Sequence, residues 1–392
     1  MKKFERIAGV VALGIIAAAW IVGAMDPETD LTASLQQALP QAYQFKSSGG
    51  GIYAGYGNRI EGVPLVGYAA IARANGYGGP MRTAVGIDMS GNLTGVSIID
   101  HKETVPFFNR IRADDYIKRL VGKSYADNFT PGEDIDTVSG ATVSLGALAV
   151  SVRRGADLAA DKGLGLEVYR SEIGIIEFGF PEILLILLFA LGFMTYSKPL
   201  GSRPRGRTVL RWVTRLAGLV LIGFVLTVPL SIININSLLI GYAPHSRMGI
   251  YWCLLTVAVF LPLILTNKTV YCECICPFGT AQDILKTAGG GKLTLPKRWP
   301  LGLRWVQRML ALGAIATALL YRNPARFDYE VFGAFFTLTG TVAQLAILGV
   351  VLIASLFLLR PWCNCLCPLR AISDYIRMLR TWGKETLRKP DR

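Results

Sequence analysis

Six of the chain's seven cysteines lie in two short segments that match each other. The first reads YCECICPFGTAQDIL over residues 271–285, and the second reads WCNCLCPLRAISDYI over 362–376. Each has cysteines at alternate positions, a proline directly after the third, and an aspartate six residues beyond that proline, Asp283 or Asp374. Thiolates at such density indicate a site for a soft metal: an iron–sulfur cluster, zinc or copper(I).

The spacing decides which metals are favoured. It differs from the C-x₂₋₄-C pairs of zinc ribbons and from the C-x₂-C-x₂-C-x₃-C-P run of ferredoxins. The outer two cysteines of each motif are four residues apart, so each pair can converge on one centre. We expect two thiolates from each motif to hold one [4Fe–4S] cluster: Cys272, Cys276, Cys363 and Cys367.

The middle cysteine of each motif, Cys274 or Cys365, would lie beside the cluster or ligate a second centre, and the sequence leaves both interpretations open. Six inert, buried cysteines are the alternative to any metal. Pro277 and Pro368 can each begin a helix, because proline is tolerated in the first turn.

Membrane helices are expected to position these motifs. The chain is 52% hydrophobic with a mean hydropathy of +0.41, which is too apolar for an ordinary soluble protein. Six apolar runs are long enough to cross the ~30 Å hydrocarbon core as helices. They lie near residues 7–24, 177–196, 209–230, 249–267, 305–321 and 338–359.

Positive charge predicts the topology. Lys and Arg concentrate in residues 1–6, 197–207, 268–304 and the tail from Arg360, and cytoplasmic loops carry such an excess. Both termini and both cysteine motifs (272–277 and 363–368) are therefore expected on the cytoplasmic side of a bacterial inner membrane. The first helix is predicted to be an uncleaved anchor, with a cleaved signal peptide as the alternative.

Residues 25–172 are expected to fold outside the membrane, in the periplasm. They hold 14 Lys and Arg against 17 Asp and Glu, although the whole chain has a net charge of +14. The basic excess thus flanks apolar segments and does not form a soluble patch, which argues against nucleic-acid binding. The predicted organisation is an anchor (1–24), an α+β external domain (25–172) and an all-α polytopic membrane domain of about six transmembrane helices (173–392).

The external domain contains GEDIDTVSGATVS over residues 132–144. Gly140 suits a tight turn, and Ser139 or Thr142 can cap the helix that follows. A helix N-terminus also attracts phosphate. Upstream, RTAVGIDM and LTGVSIID are short alternating segments joined by Ser-Gly-Asn, which predicts a β-hairpin.

The segment DTVSGAT resembles the D-x-x-[ST]-G-A-T signature of the FMN-binding domains of RnfG, NqrC and NosR-type proteins. In that family a dedicated flavin transferase joins FMN to the last threonine through a phosphoester bond, which implies covalent FMN on Thr142 and a recognition role for Asp136. The resemblance implies that the flavin site also includes these residues: Ser139, Gly140, Ala141, Gly78, Gly79, Glu103 and Thr104. The usual Pro-Gly-Leu-Gly after H-x-E-T is replaced by Val-Pro-Phe-Phe.

The whole chain resembles the NosR/NirI and PceC/CprC membrane proteins, without the C-terminal ferredoxin domain of NosR. This resemblance implies an electron-transfer component of anaerobic respiration, not a stand-alone enzyme. Its FMN would exchange electrons with an exported reductase, and its cluster with the quinone pool or a cytoplasmic reductant. A quinone pocket could include residues 235–249 and His245, although a surface histidine is the simpler interpretation.

Two other functions are compatible with the sequence. The protein could be a redox-sensing membrane regulator, or a maturation or metal-handling factor for an exported metalloenzyme. Electron transfer from the cytoplasmic side to the external FMN also needs a route across ~30 Å of bilayer. Three arrangements would provide this route: a metal centre deeper than the loops suggest, a movement of the FMN domain, or a quinone bound between them.

Overall fold

Two compact units make up the chain in the computed structural model: residues 25–175, and residues 1–24 together with 176–392. The described residues are 2–25, 30–58, 64–76, 79–103, 108–109, 116–133, 135, 142–168, 179–196, 204–242, 247–290, 299–338 and 340–387. The α+β domain followed by a mostly helical part confirms the predicted fold class.

A five-stranded antiparallel sheet forms the centre of residues 25–175, and its strands lie in chain order. Alternating apolar residues and short turns favour this meander. The predicted hairpin is present, with residues 80–88 paired to 93–101. The elements are α1 (Lys2–Ala24, in the helical unit), α2 (Thr32–Ala38), β1 (Gln44–Gly49), β2 (Ile52–Tyr56), β3 (Leu65–Asn75), β4 (Pro80–Asp88), β5 (Leu93–His101), α3 (Tyr116–Arg119) and α4 (Thr142–Leu158).

Helices cover both faces of this sheet. α4 packs on β3 and β4, where Leu145, Leu148 and Val152 join the main hydrophobic core. A buried hydroxyl pair, Thr83 Oγ1 and Ser151 Oγ at 2.8 Å, ties β4 to α4. α2 packs on β4 and β5 through a smaller apolar cluster. The packing on β3 and β4 therefore holds α4, which begins at Thr142, against the sheet. A π-helical turn, Ala159–Leu164, continues α4.

All six predicted apolar segments contain helices of the second unit. Three of the described helices are long and apolar enough to cross a membrane: Phe4–Ala24, Thr208–Val225 and Gly302–Leu320. Tyr251–Thr266 and Val270–Gly289 pass together but are bent by 114°, and Phe180–Tyr196 and Val342–Phe357 are apolar but shorter.

The helices of this unit follow the chain from residue 180 to 387. Leu219–Val225 is a π-helix that continues the preceding α-helix, and the two together provide the apolar span Thr208–Val225. The α-helices are α5 (Phe180–Tyr196), α6 (Pro204–Gly218), α7 (Ile232–Ile240), α8 (Arg247–Thr266), α9 (Val270–Cys274), α10 (Pro277–Gly289), α11 (Trp299–Leu320), α12 (Phe332–Phe336), α13 (Val342–Phe357), α14 (Pro361–Cys365) and α15 (Pro368–Leu387).

The first helix packs inside the helical unit. α1 lies along α11, where the ring of Phe4 meets that of Trp305 with centroids 5.4 Å apart. The Tyr375 hydroxyl of α15 donates to the Gly9 carbonyl at 3.1 Å. At Gly23 a side chain is excluded, since a Cβ would lie 2.1 Å from the Leu319 carbonyl oxygen. The uncleaved anchor stays a prediction from the sequence.

Candidate redox sites

The two cysteine motifs fold alike. Each begins with a five-residue helix, α9 or α14, and each is followed at once by a helix that starts at the predicted proline, α10 or α15. In the first motif the amides of residues 275 and 276 both donate to the Tyr271 carbonyl, at 2.9 and 2.7 Å. In the second, residues 366 and 367 donate to the Trp362 carbonyl, both at 2.9 Å. The matched sequences therefore give matched backbones.

Both motifs open into one cavity of about 230 Å³. The first and third cysteine of each motif line it, and the middle cysteines do not. Phe278, Phe332 and Trp362 supply apolar walls. Tyr271 and Trp362, the residues before the first cysteines, are almost fully buried and anchor the two motifs. The cysteines around the cavity are Cys272, Cys276, Cys363 and Cys367.

Four thiols at one cavity suit an iron–sulfur cluster, which is held by four cysteine thiolates. No three His, Cys, Asp or Glu side chains among the described residues are grouped closely enough to bind a single metal ion. The thiols instead surround a space, as a cluster of several iron atoms requires. The donor set therefore fits a [4Fe–4S] cluster, with Cys272, Cys276, Cys363 and Cys367 as the residues that would hold it.

The middle cysteines have different surroundings. Cys274 has no exposed surface and belongs to the apolar core of the helical unit, whereas Cys365 is half-buried. Side chains two positions apart on a helix lie on different faces. Cys274 and Cys365 therefore do not line the cavity, although the other four cysteines of the motifs do.

Gln282 links α10, the helix that follows the first motif, to the second motif. Its amide nitrogen lies 3.6 Å from the Cys363 sulfur, and its amide oxygen accepts from the Trp362 backbone nitrogen at 3.0 Å. The side chain is fully buried. A donor to a ligating sulfur stabilises added negative charge, so Gln282 is placed to tune a redox centre.

Gln307 of α11 fixes the second motif through its backbone. Its amide nitrogen donates to the carbonyls of Cys363 and Cys367, at 3.1 and 2.8 Å, and the side chain is 1% exposed. Sequence reasoning missed Gln282 and Gln307. A glutamine within the apolar run 305–321 was a usable signal, because polar residues in such helices are costly and have a purpose.

Arg360 joins the two motifs electrostatically. Its guanidinium donates to both carboxylate oxygens of Asp283, at 2.9 and 2.6 Å, and to the Cys272 carbonyl at 2.8 Å. Arg215 of α6 adds a second cation 3.2 Å from Asp283. Burial alone would lower the pKa of Arg360, but the bonds to Asp283 and its charge outweigh that effect and raise it.

The cavity is more basic than acidic. Cations outnumber carboxylates among the described charged residues of its lining, which suits a cluster made anionic by four thiolates. These residues are Arg360, Arg370, Arg377, Glu273 and Asp374. Burial, and then the neighbouring Cys276, raise the pKa of Cys363 to about 12. The metal-free thiol is therefore protonated at neutral pH, and metal binding would release protons.

A loop between two apolar helices reaches this site. The Tyr329 hydroxyl, in the segment between α11 and α12, donates to the Leu366 carbonyl at 3.2 Å. The Tyr329 ring centroid lies 6.2 Å from that of Trp362. Sequence reasoning put residues 322–330 and the second motif on opposite sides of the membrane. Their direct contact instead puts the cavity within reach of that loop.

The predicted flavin site is described only in part. Gly79 has a φ of 141°, which favours glycine, and its carbonyl accepts from Gly76 at 2.8 Å. Glu103 is buried, and Thr142 is the first residue of α4. The other predicted flavin residues lie outside the described residues: Gly78, Thr104, Asp136, Ser139, Gly140 and Ala141. His245 of the suggested quinone loop lies outside them as well.

Two domain families match the chain at these places. The sequence profile of the FMN-binding domain matches residues 76–157. The profile of a 4Fe-4S binding domain matches twice, at 248–296 and 341–390, and each match contains one cysteine motif. The chain therefore contains an FMN-binding domain and two matches to a 4Fe-4S binding domain, which fits the predicted resemblance to FMN-binding membrane proteins.

Individual relatives match parts of the chain. An Escherichia coli (strain K12) protein named "Putative electron transport protein YccM" is 29% identical over 158 residues, which cover 36% of this chain and 43% of that protein. A component of the ion-translocating oxidoreductase complex of Stutzerimonas stutzeri is 30% identical over 152 residues, covering 33% of this chain and 65% of the relative. The chain therefore spans less than two thirds of these relatives.

Proposed function

We propose that this protein is a membrane-bound electron carrier that links a one-electron centre at the cysteine cavity to an FMN in the domain of residues 25–172. The cavity shared by Cys272, Cys276, Cys363 and Cys367 is the observation that carries the proposal. A [4Fe–4S] cluster supplies one-electron chemistry there when bound, and FMN accepts one or two electrons.

The chain's own residues bind and isolate such a centre. The four thiolates would hold it, Gln282 would donate to a sulfur, and Arg360 would offset its negative charge. Phe278, Phe332 and Trp362 give the cavity apolar walls. These contacts support a centre with a defined potential, because hydrogen bonds, charge and exposure set the potentials of iron–sulfur clusters.

The direction of electron transfer and the donor and acceptor of the electrons are part of the same proposal. The protein would lie in the bacterial inner membrane, receive electrons from the quinone pool or a cytoplasmic reductant, and pass them to an exported reductase of anaerobic respiration. The names of the relatives, an electron transport protein and a component of an ion-translocating oxidoreductase complex, support this class of function.

The first experiment measures iron, acid-labile sulfide, zinc and copper per chain after anaerobic purification in detergent. We expect about four iron atoms with matching sulfide, as one [4Fe–4S] cluster requires. Replacing any of the four cavity cysteines by serine should abolish the bound iron. The matched controls Cys274→Ser and Cys365→Ser should retain it, and zinc or copper without sulfide would reject the electron-carrier proposal.

Covalent FMN on Thr142 is proposed from the sequence signature, with a flavin transferase as the partner that attaches it. Thr142→Ala should remove flavin fluorescence from the protein band on a denaturing gel, because the phosphoester needs the hydroxyl. Ser144→Ala, two residues further along α4, is the control and should keep the fluorescence. A fluorescent band in the Thr142→Ala protein would show that FMN is attached elsewhere.

A further inference from the structure

Two carboxyl groups lie in the loop that reaches the cavity: Glu330 is buried and Asp328 is half-buried. Glu330 is 4% exposed, and one carboxylate oxygen, Oε2, accepts from the Ile232 backbone nitrogen at 3.0 Å. Its other oxygen, Oε1, has no hydrogen-bond partner among the described residues. Asp328 accepts from the Gln344 amide at 3.1 Å and from the Glu330 backbone nitrogen at 3.0 Å.

The groups that face these carboxyls are neutral or acidic. α7 contributes its first amide and the Ser231 hydroxyl, and α13 contributes Gln344. No Lys or Arg nitrogen of the described residues forms an ion pair with Asp328 or Glu330. The loop's own cations are engaged elsewhere, since Arg322 donates to the Ile240 carbonyl and Arg326 lies over the Tyr321 ring.

A buried carboxylate without a cation favours its protonated form, because burial disfavours charge. Burial first, and then the charge of Asp328, raise the pKa of Glu330 to about 8. Burial also raises the pKa of Asp328. The unpartnered Oε1 offers the position for the proton.

Tyr329, between the two carboxyls in sequence, connects them to the cavity. Its hydroxyl donates to the Leu366 carbonyl, and its ring neighbours Trp362, a residue of the cavity wall. An electron that arrives at the cavity adds negative charge beside Tyr329, the residue that precedes Glu330 in the chain. Charge interactions are weakly screened there, so the electron increases the affinity of Glu330 for a proton.

We propose that Glu330, assisted by Asp328, is a proton-binding site coupled to electron arrival at the cysteine cavity. Above about pH 8, where the Glu330 carboxylate is ionised before the electron arrives, the entry of one electron from the donor is accompanied by one proton from water that forms an O–H bond at Glu330, and the charge of the helical unit is unchanged. When the electron leaves for the acceptor, the O–H bond breaks and the proton returns to water. This inference rests on the proposed electron-carrier function.

The test is a redox titration of the iron–sulfur signal by electron paramagnetic resonance, at a series of pH values, on the detergent-purified full chain. For the wild type we expect a midpoint potential that falls as pH rises above about 8. The limiting slope for one proton per electron is 59 mV per pH unit. Glu330→Gln keeps an acceptor for Ile232 and should give a flat profile, whereas the exposed-residue control Glu385→Gln should keep the slope.

Asp328→Asn provides a second variant if Glu330→Gln does not fold. Loss of the neighbouring charge should lower the pKa of Glu330 and move the start of the slope to lower pH. Equal slopes in the wild type and Glu330→Gln, with iron and sulfide bound, would overturn the proton site and leave the electron carrier intact.

Infrared spectroscopy gives a readout that does not need a redox centre. In metal-free protein, the band of a protonated carboxyl should disappear as pH rises through about 8 in the wild type and be missing in Glu330→Gln. If the chain purified anaerobically binds neither iron nor sulfide and still shows this titration, the carrier function alone is rejected. Identical bands in both proteins would reject the proton site.

Discussion

At the scale of single residues, the two glutamines beside the second motif separate redox tuning from support. Gln282 donates to the Cys363 sulfur, whereas Gln307 donates only to backbone carbonyls of that motif. Both are buried, so replacing either leaves polar groups without partners. The two glutamines therefore differ in the atom to which they donate: the Cys363 sulfur for Gln282, and backbone carbonyl oxygens for Gln307.

We expect Gln282→Leu to lower the midpoint potential of the bound centre, because the reduced and more negative state loses a donor to its sulfur. Gln307→Leu should cost a similar free energy of unfolding, roughly 1–3 kcal/mol for the unpaired groups, with a smaller change in potential. Redox titration and thermal unfolding of both variants measure the two effects. Equal potential shifts in the two proteins would contradict this division of roles.

Much of the cysteine site was predictable at this scale. The spacing of four led to a pairing of the outer cysteines, and these four thiols line one cavity while the middle cysteines do not. Their role as cluster ligands stays a prediction. Arg360 was not predictable as a cavity residue, since its side chain reaches Cys272 and Asp283 across a gap in sequence of more than 75 residues. Such long-range pairings follow from helix packing and leave no local pattern.

At the scale of elements, the two matched motifs differ in their electrostatic support. Asp283 on α10 has two cations, Arg360 and Arg215. Its counterpart Asp374 on α15 is paired with Arg377 of its own helix, at 3.8 Å. The first aspartate therefore joins three elements, while the second stabilises one.

Asp283→Asn should be the more damaging of the two neutralising changes. It leaves two partly buried guanidinium groups without their carboxylate, and we expect a loss on the order of 2 kcal/mol, below the 3–5 kcal/mol of a fully buried pair. Asp374→Asn is the matched control and should cost less than about 1 kcal/mol, as an ordinary partly exposed pair does. Thermal unfolding in detergent compares them, and equal losses would reject the asymmetry.

The elements themselves were well predicted where a local signal exists. All six apolar runs contain helices, the prolines begin α10 and α15, and the hairpin of β4 and β5 forms. The sequence did not predict that residues 328–336 pack inside the helical unit. There the ring of Phe332 contacts those of Phe278 and Trp362. The few charged residues of this segment resemble those of an ordinary loop, and only packing reveals that Glu330 is buried.

At the scale of the whole molecule, the buried Glu330 makes stability depend on pH. Its pKa is about 8 in the folded chain and near 4.5 when exposed, so folding favours the protonated form. The stability from this group is complete below about pH 4.5 and is lost as pH rises through 8. Between these values the change approaches about 1.4 kcal/mol per pH unit.

We therefore expect the unfolding temperature in detergent to decrease between about pH 5 and pH 8, with part of that decrease due to Glu330. In Glu330→Gln this part should vanish, because glutamine does not titrate. Unfolding temperatures measured across this range in both proteins provide the test. A decrease of the same size in the variant would mean that other groups cause it.

The packing of α1 has a consequence for the order of synthesis. α1 leaves the ribosome before the other helices of its unit, but its polar contacts are with elements made much later: Glu5 with Arg308 of α11, Arg6 with Glu385 and Gly9 with Tyr375 of α15. α1 is therefore complete before the domain of residues 25–175 and the intervening helices are translated. A chain interrupted before α15 lacks two of these three partners. The polar contacts of α1 within the helical unit are therefore complete only after α15 has been made.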